Sequence, residues 1–130
     1  MIVLDASVVI KALVEDEQGY LAARDLIRDR AVVPEWLFVE VANALATKTR
    51  YTVGEAEELL GLIYDIGFEV EKVDRKMLER SMTLAKTHDV AVYDMIYAVL
   101  AEKLNLELIT ADENFAKKTG FDFVKLLEEI

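Results

Sequence analysis

Two acidic residues of this sequence follow short apolar runs that are typical of buried strands. Asp5 comes directly after residues 2–4, and Asp112 comes shortly after residues 106–109. Ligands of open parallel sheets bind beyond the carboxyl ends of the strands, so an acid in either place is a candidate binding or catalytic group. Both acids also suit an ordinary role as a turn former or a helix cap, and position alone leaves the two interpretations open.

Two further acids, Glu40 and Asp94, lie inside strongly apolar segments, at residues 36–45 and 90–100. A carboxylate within an apolar helix has to be paired, protonated or bound to a metal, unless it lies at the edge of the helix and points to water. Asp is unfavourable in a helix interior but favourable in the first turn. The alternative for Asp94 is therefore an N-cap of a helix over residues 95–104. The apolar surroundings favour a functional role for both acids.

Four carboxylates brought to one end of a parallel sheet would suit a hard divalent cation. Close carboxylates repel one another, and without a counter-charge some of them are pushed toward protonation. A set of oxygen ligands selects Mg²⁺ or Mn²⁺ over Zn²⁺. Such clusters suit phosphodiester hydrolysis, because a bound metal activates water and stabilises charge on the attacking and leaving oxygens. The sequence therefore predicts a Mg²⁺ or Mn²⁺ site made by Asp5, Glu40, Asp94 and Asp112.

These acids can meet only if strands and helices alternate around one sheet. The apolar runs predict strands at residues 2–4, 31–33, 68–73, 106–110 and 121–124, with residues 68–73 at an edge of the sheet. Helical spacing predicts helices at residues 7–14, 17–29, 36–49, 52–66, 75–87, 90–104 and 112–118, and a helical tail after the last strand. The expected fold is a single domain, residues 1–130, built as a three-layer α/β/α sandwich with a central parallel sheet.

Several polar residues carry signals for the ends of these helices. Ser7 is a candidate N-cap for the first helix, Asp74 for the fifth, and a capping box begins at Thr52. Gly120 is a candidate for the residue that ends the last helix. Ser7 and Thr110 lie close in sequence to Asp5 and Asp112, so each is either a cap or turn residue or a group that orients a neighbouring carboxylate.

The composition bounds the class of protein. The chain has 130 residues, 54% of them hydrophobic, which is enough for one domain with a sizeable core. No apolar stretch approaches the roughly 20 residues that a membrane span needs. No basic region precedes the first apolar run, and there is no Cys, which excludes a thiol nucleophile and a disulfide scaffold. We therefore expect a cytoplasmic protein without a membrane segment.

The formal net charge of −10 argues by itself against a nucleic-acid binder, which usually presents a basic surface. Acids clustered around cations would remove that objection. Other candidates for chemistry are weak: the single histidine, His88, is placed like a helix end, and there is no Gly-rich phosphate loop and no zinc-ligand spacing. Four aromatic residues are expected in the core rather than as stacking platforms for bases, namely Trp36, Phe38, Tyr93 and Tyr97.

Four segments in order resemble the motifs of the PIN domain family, and most closely its VapC-like toxins. They are residues 3–7 (Val-Leu-Asp-Ala-Ser), 40–45 (Glu-Val-Ala-Asn-Ala-Leu), 93–101 and 108–115. Each motif alone is weak, but the order, spacing and total length agree over essentially the whole chain.

The resemblance implies a parallel sheet between helices and RNA cleavage that depends on Mg²⁺ or Mn²⁺. It also implies a homodimer and inhibition by a cognate antitoxin. The functional residues carried over are the four acids, with Ser7, Asn43 and Thr110 in support. RNA would have to approach through metal ions and a few basic residues, for which Lys11, Lys48 and Arg50 are the candidates.

Three other interpretations compete. A phosphatase of the haloacid-dehalogenase type also begins with an Asp at a strand end, but it needs a second Asp two residues later, where this chain has Ser7. A receiver-type phosphoacceptor domain would want an acidic pair after the first strand and a Lys where the late strand ends at Thr110. A PIN fold kept only as a binding module is the third, and retention of all four acids argues against it.

Overall fold

Five parallel strands form the sheet in the part of the chain that the computed structural model describes, residues 1–14, 19–27, 30–47 and 50–130. The spatial order is β3-β2-β1-β4-β5, and every neighbouring pair is parallel. The strands are β1 (Ile2–Leu4), β2 (Ala31–Pro34), β3 (Glu69–Glu71), β4 (Leu108–Thr110) and β5 (Val124–Leu126). The chain builds outward from β1 to one edge and then returns to add β4 on the other side. The strand order therefore reverses between β1 and β4, the place where open α/β sheets bind ligands.

Helices connect and cover these strands, which confirms the predicted α/β sandwich around a parallel sheet. They are α1 (Ala6–Leu13), α2 (Tyr20–Ile27), α3 (Trp36–Thr47), α4 (Val53–Asp65), α5 (Arg75–His88), α6 (Val92–Leu104) and α7 (Glu113–Thr119), followed by a 3₁₀ turn at Leu127–Glu129. No helix in the described ranges is long and apolar enough to cross a membrane. The predicted helix boundaries at residues 17, 29 and 49 lie outside the described residues.

The helix α6 is the central helix that the sequence predicts. Every residue from 95 to 101 is buried, and the helix contacts β1, β2 and β4. The prediction that its aromatic residues lie in the core is right for Tyr97, which is 1% exposed, and wrong for Tyr93, which is 52% exposed. Tyr93 lies in the first turn of α6, ahead of the part of the helix that packs on the sheet. Trp36 and Phe38 of α3 are partly buried against the core.

Most predicted helix ends are confirmed. Thr52 and Glu55 form the reciprocal capping box of α4, the side chain of Asp74 caps α5, and Gly120 ends α7 with a φ of 61°. The prediction for α1 is wrong, because Asp5 is its N-cap and accepts a hydrogen bond from the backbone N–H of Val8 at 3.2 Å. The hydroxyl of Ser7 is thereby free for other contacts.

The end of the chain also differs from the expectation. The sequence predicts the last strand at residues 121–124, but β5 begins at Val124, which pairs with Leu108. Phe121 and Phe123 stack on each other with ring centroids 5.2 Å apart, and His88 meets the Phe121 ring edge-on. These ring contacts lie in the turn before β5, and only a short 3₁₀ turn follows the strand instead of a longer helical tail.

Candidate active site

Asp5 and Thr110 lie side by side at the carboxyl ends of the two central strands. The register pairs Leu4 of β1 with Ile109 of β4. The residues that follow this pair, Asp5 and Thr110, therefore lie next to each other. Thr110 donates its hydroxyl proton to Oδ2 of Asp5 at 2.5 Å. Ser7, in the first turn of α1, donates to Oδ1 of Asp5 at 2.5 Å. We call Ser7 and Thr110 the hydroxyl clamp.

Backbone groups fix the direction of both clamp protons. The N–H of Ala111 donates to the Ser7 hydroxyl oxygen, and the N–H of Asp112 donates to the Thr110 hydroxyl oxygen, both at 3.0 Å. Each hydroxyl has one proton, and with its oxygen accepting from the backbone that proton points at Asp5. Oδ1 of Asp5 accepts from two donors, Ser7 and Val8, whereas Oδ2 accepts from Thr110. Oδ2 is therefore the oxygen with more remaining capacity to bind a cation.

Glu40 approaches from α3 and is held by a residue of α6. The hydroxyl of Tyr97 donates to Oε1 of Glu40 at 2.6 Å. Trp36 lies one helical turn before Glu40, and its indole N–H is buried without an acceptor in hydrogen-bonding geometry. The indole still lies close enough to lower the pKa of Glu40, but this is the smallest of the effects on that carboxyl group.

Asp94 lies in the first turn of α6 and is half-buried. Its alternative role as an N-cap is wrong, because Ala91 occupies that position. Asp112 does cap a helix: its side chain accepts the backbone N–H of Phe115 at 3.0 Å at the start of α7. For Asp112 the capping role and the candidate functional role therefore coexist, since one oxygen suffices for the cap.

The pKa values of three of the four acids are raised, first by burial and then, to a smaller extent, by the charge of a neighbouring acid. Burial raises the pKa of Asp5 to about 6, against the lowering effect of the clamp hydroxyls, and the charge of Asp94 raises it further. Burial raises the pKa of Glu40 to about 7, and the charges of Asp94 and Asp5 add to the increase. The pKa of Asp94 is raised first by burial and then by the charge of Asp112. Among the causes of these three shifts there is no positively charged group.

The chemistry of this donor set fits Mg²⁺ or Mn²⁺. Four carboxylates supply only oxygen atoms, which hard divalent cations prefer. In the described ranges, however, no group of three or more His, Cys, Asp or Glu side chains is arranged to hold a metal ion. The raised pKa values of Asp5 and Glu40 come mainly from burial, which disfavours their charged forms in the absence of a cation.

The remaining predicted residues are Asn43, proposed to support the acids, and three basic residues. Asn43 lies one turn beyond Glu40 on α3 and is exposed, and in the described part of the chain no hydrogen bond joins it to the acids. Arg50 is exposed, and it donates to the hydroxyl of Tyr51 at 3.2 Å and lies over that ring. Lys11 is in the last turn of α1, and Lys48 lies outside the described residues. The role of these basic residues in RNA binding stays a prediction.

The sequence pattern predicts only a core role for Tyr97, which also contributes to the site. Tyr97 is in the core, but it also supplies the donor to Glu40. A signal was present in the sequence, because a Tyr placed in a helix that is apolar all round needs a buried acceptor for its hydroxyl. Glu40, itself in an apolar helix, was the unpaired acceptor available.

Comparison with known proteins identifies the family of this chain. Residues 2–120 match the PIN domain family. Ribonuclease VapC3 of Pyrobaculum aerophilum is 30% identical over 122 residues, which cover 90% of this chain and 93% of that protein. Two solved structures share the fold. They are a toxin–antitoxin complex from Klebsiella pneumoniae (20% identity, 100% of both chains, TM-score 0.75) and VapC20 of Mycobacterium tuberculosis, a Sarcin-Ricin loop cleaving toxin (16% identity, 96% and 99% of the two chains, TM-score 0.76). The chain belongs to the PIN domain family.

Proposed function

We propose that this protein is a Mg²⁺- or Mn²⁺-dependent endoribonuclease and the toxin of a toxin–antitoxin pair. One observation supports the proposal: at the switch point of the sheet the pKa values of Asp5, Glu40 and Asp94 are raised by burial and, to a smaller extent, by the charges of neighbouring acids of the set. A site with this charge and these oxygen donors suits hydrolysis of a phosphodiester. The named ribonuclease activity of the Pyrobaculum aerophilum relative supports RNA as the substrate.

Asp5, Glu40, Asp94 and Asp112 would hold the cation. When bound, the cation supplies Lewis acidity that activates a water molecule and stabilises charge on the phosphate. The chain's own residues prepare that arrangement. The hydroxyl clamp fixes the carboxylate plane of Asp5 and keeps it a pure acceptor. Asp94 has no hydrogen-bond donor in the described part of the chain, so it can turn toward a cation without breaking a hydrogen bond.

Glu40 is the residue best suited to hold a proton. Its pKa of about 7 means that the protonated and ionised forms are both populated near neutral pH. In the metal-free protein Glu40 is therefore partly protonated. Binding of a cation would lower this pKa and release the proton.

The phosphatase interpretation loses its chemical basis in this structure. The position that would need the second Asp holds Ser7, and the Ser7 proton is committed to Oδ1 of Asp5. A hydroxyl held in this way is a donor that stabilises the carboxylate, not an acid–base group for a leaving alcohol. The clamp instead suits Asp5 as a fixed ligand.

Incubation of the pure protein with structured RNAs and Mn²⁺, with and without a chelator, tests the proposal. We expect internal cleavage that the chelator abolishes and that Asp5→Asn lowers by at least about 100-fold, the size typical of the loss of one electrostatic group in a site. Asp122→Asn is the matched control, because Asp122 is exposed in the turn before β5. Cleavage that survives chelation, or an Asp5→Asn variant as active as the Asp122→Asn variant, would refute the assignment.

A further inference from the structure

Tyr97 combines two properties that packing alone does not require. Its ring is 1% exposed, within the stretch of α6 where residues 95–101 are all buried. Its hydroxyl nevertheless reaches across to α3, 57 positions earlier in sequence, and donates to Oε1 of Glu40 at 2.6 Å. A Phe would fill nearly the same volume and would leave no polar atom to satisfy. The hydroxyl group therefore needs an explanation of its own.

The contact is the single hydrogen bond that the described residues make to the Glu40 carboxylate. The neighbouring indole N–H of Trp36 is buried but does not reach hydrogen-bonding geometry with any acceptor. Glu40 has three rotatable side-chain bonds and no ion-pair partner in the described ranges, so the Tyr97 hydroxyl, whose effect on the Glu40 pKa exceeds that of Trp36, is the principal restraint on its orientation. Asp5 is restricted in the same manner by neutral hydroxyl donors.

We propose that Tyr97 is a positioning residue, which holds the Glu40 carboxylate in the orientation that a divalent cation in the acidic site requires. The inference rests on the proposed function. Carboxylates that bind metal ions are themselves usually held by hydrogen bonds, and loss of such an outer partner typically weakens metal affinity roughly 10- to 100-fold. The Tyr97 hydroxyl acts on the cation through Glu40 and does not touch it.

The sequence offers a direct readout. Trp36 is the only Trp of the chain and lies one helical turn before Glu40, so its fluorescence reports on a paramagnetic cation nearby. Titration with Mn²⁺ should quench the wild-type protein to saturation. The Tyr97→Phe variant should need roughly 10-fold more Mn²⁺ for half-quenching. Tyr64→Phe is the matched control, since Tyr64 is 61% exposed on α4 and its ring stacks on Phe38, and it should titrate like wild type.

A double-mutant cycle separates positioning from packing. If Tyr97 acts through Glu40, Tyr97→Phe should cause no further loss of Mn²⁺ affinity in a Glu40→Gln background. A purely structural role would lower the thermal midpoint of Tyr97→Phe and leave its Mn²⁺ titration at the wild-type position, which would overturn the inference. Independent, additive losses in the double variant would overturn it as well. Wild-type protein that shows no saturable Mn²⁺ effect would instead refute the metal-dependent function itself, and this inference with it.

Discussion

Thr110 donates its hydroxyl proton to Oδ2 of Asp5, although the two residues are 105 positions apart in the sequence. The contact exists because β1 and β4 are parallel neighbours in register, which brings the residues after their carboxyl ends together. A hydrogen bond of this kind joins the first and the last acidic motif of the chain. It also makes the orientation of Asp5 depend on the correct pairing of the two central strands.

Loss of this donor should destabilise the protein and weaken its cation site. In Thr110→Val the shape is nearly kept, but Oδ2 of Asp5 loses its donor in a place where Thr110 is fully buried. An acceptor left unsatisfied in this way costs about 1–3 kcal/mol. Urea unfolding at neutral pH in the presence of a chelator measures that loss, and a Mn²⁺ titration measures the affinity. Thr83→Val is the control, because Thr83 is exposed on α5 and bonds only the backbone carbonyl of Glu79. Equal unfolding free energies for the two variants would contradict the role of the clamp.

The metal-free protein should become less stable as the pH rises from about 4 to about 7. In the folded state the pKa of Asp5 is about 6 instead of 3.8, and that of Glu40 about 7 instead of 4.5. The folded state therefore binds more protons than the unfolded state within this window, and stability falls as those protons are released. The stability that these two carboxyl groups contribute is fully present below about pH 4 and is lost above about pH 7. The half-exposed position of Glu40 reduces its share through solvent screening.

Thermal midpoints measured in chelator at a series of pH values give the slope of stability against pH. Asp5→Asn should flatten this slope between about pH 4 and pH 6, because the carboxyl group that titrates there is gone. Asp122→Asn should keep the wild-type slope. Mn²⁺ added at pH 7 should raise the wild-type midpoint. If the wild-type midpoint instead rose between pH 5 and pH 7 in chelator, the prediction would be wrong, because these carboxyl groups would then be stabilised in their charged form.

The sequence predicts the acids of this site better than it predicts the groups that hold them. Asp5 and Asp112 are visible because a charged residue after a short apolar run marks a strand end, and Glu40 and Asp94 because they interrupt apolar segments. The partners of Asp5 and Glu40 come from distant parts of the chain. These distant partners are Thr110 and Tyr97, which local patterns assign to a strand and the core, and the nearby partner Ser7 is assigned to a cap. The register of β1 with β4 and the packing of α3 near α6 bring the hydroxyl groups of Thr110 and Tyr97 to the acids.

Boundaries set by tertiary contact are also beyond local patterns. The apolar residues Phe121 and Phe123 alternate with a polar residue and so resemble a strand, but their rings stack with each other and with His88 in the turn before β5. Ser7 has the right type for an N-cap, but Asp5 takes that role because its carboxylate accepts the N–H of Val8. Near the end of the chain a contact with His88 of α5 accompanies the turn, and at α1 the Ser7 hydroxyl is instead engaged by Asp5 and by the N–H of Ala111.

We predict a homodimer, and the structure offers one face for it. A groove of about 580 Å³ lies between α3, α5 and the start of α6. Its rim includes Val39, Leu78 and Tyr93, which stay 53%, 41% and 52% exposed. Contiguous apolar side chains exposed in this way are typical of surfaces that another chain covers. A second copy of this chain is the occupant that the family resemblance favours.

Sedimentation at micromolar concentration tests the dimer and its face together. Wild type should sediment as a dimer, and Leu78→Glu should shift it toward monomer, because a carboxylate would be buried in an apolar contact. Leu21→Glu is the control, since Leu21 is 64% exposed on α2 and outside the groove. A monomeric wild type would refute the dimer. A dimer unaffected by Leu78→Glu would place the interface elsewhere.

We predict that a small protein partner inhibits the enzyme by occupying the acidic site. An uncontrolled ribonuclease damages its own cell, and the structural neighbour from Klebsiella pneumoniae is a toxin–antitoxin complex. No positively charged group contributes to the pKa shifts of Asp5, Glu40 and Asp94. We therefore expect the site to attract an Arg or Lys side chain that takes the place of the cation and forms charge-assisted hydrogen bonds. The expected inhibitor is a short amphipathic segment with at least one basic residue, whose apolar side is buried in a neighbouring groove.

Co-purification from the native host, followed by alanine substitution in the partner, tests this mode of inhibition. Replacement of the basic residue that enters the site should restore RNA cleavage and should weaken the complex by about 2 kcal/mol or more, as expected for one member of a buried charge pair. Replacement of a basic residue outside the contact should change neither. On the enzyme side, Asp94→Asn should weaken the complex, because Asp94 has no hydrogen-bond donor in the described part of the chain and is the acid most open to a new partner. If binding and inhibition both survive loss of the basic residue, the partner does not act through the acidic site, and it inhibits by blocking the approach of RNA elsewhere.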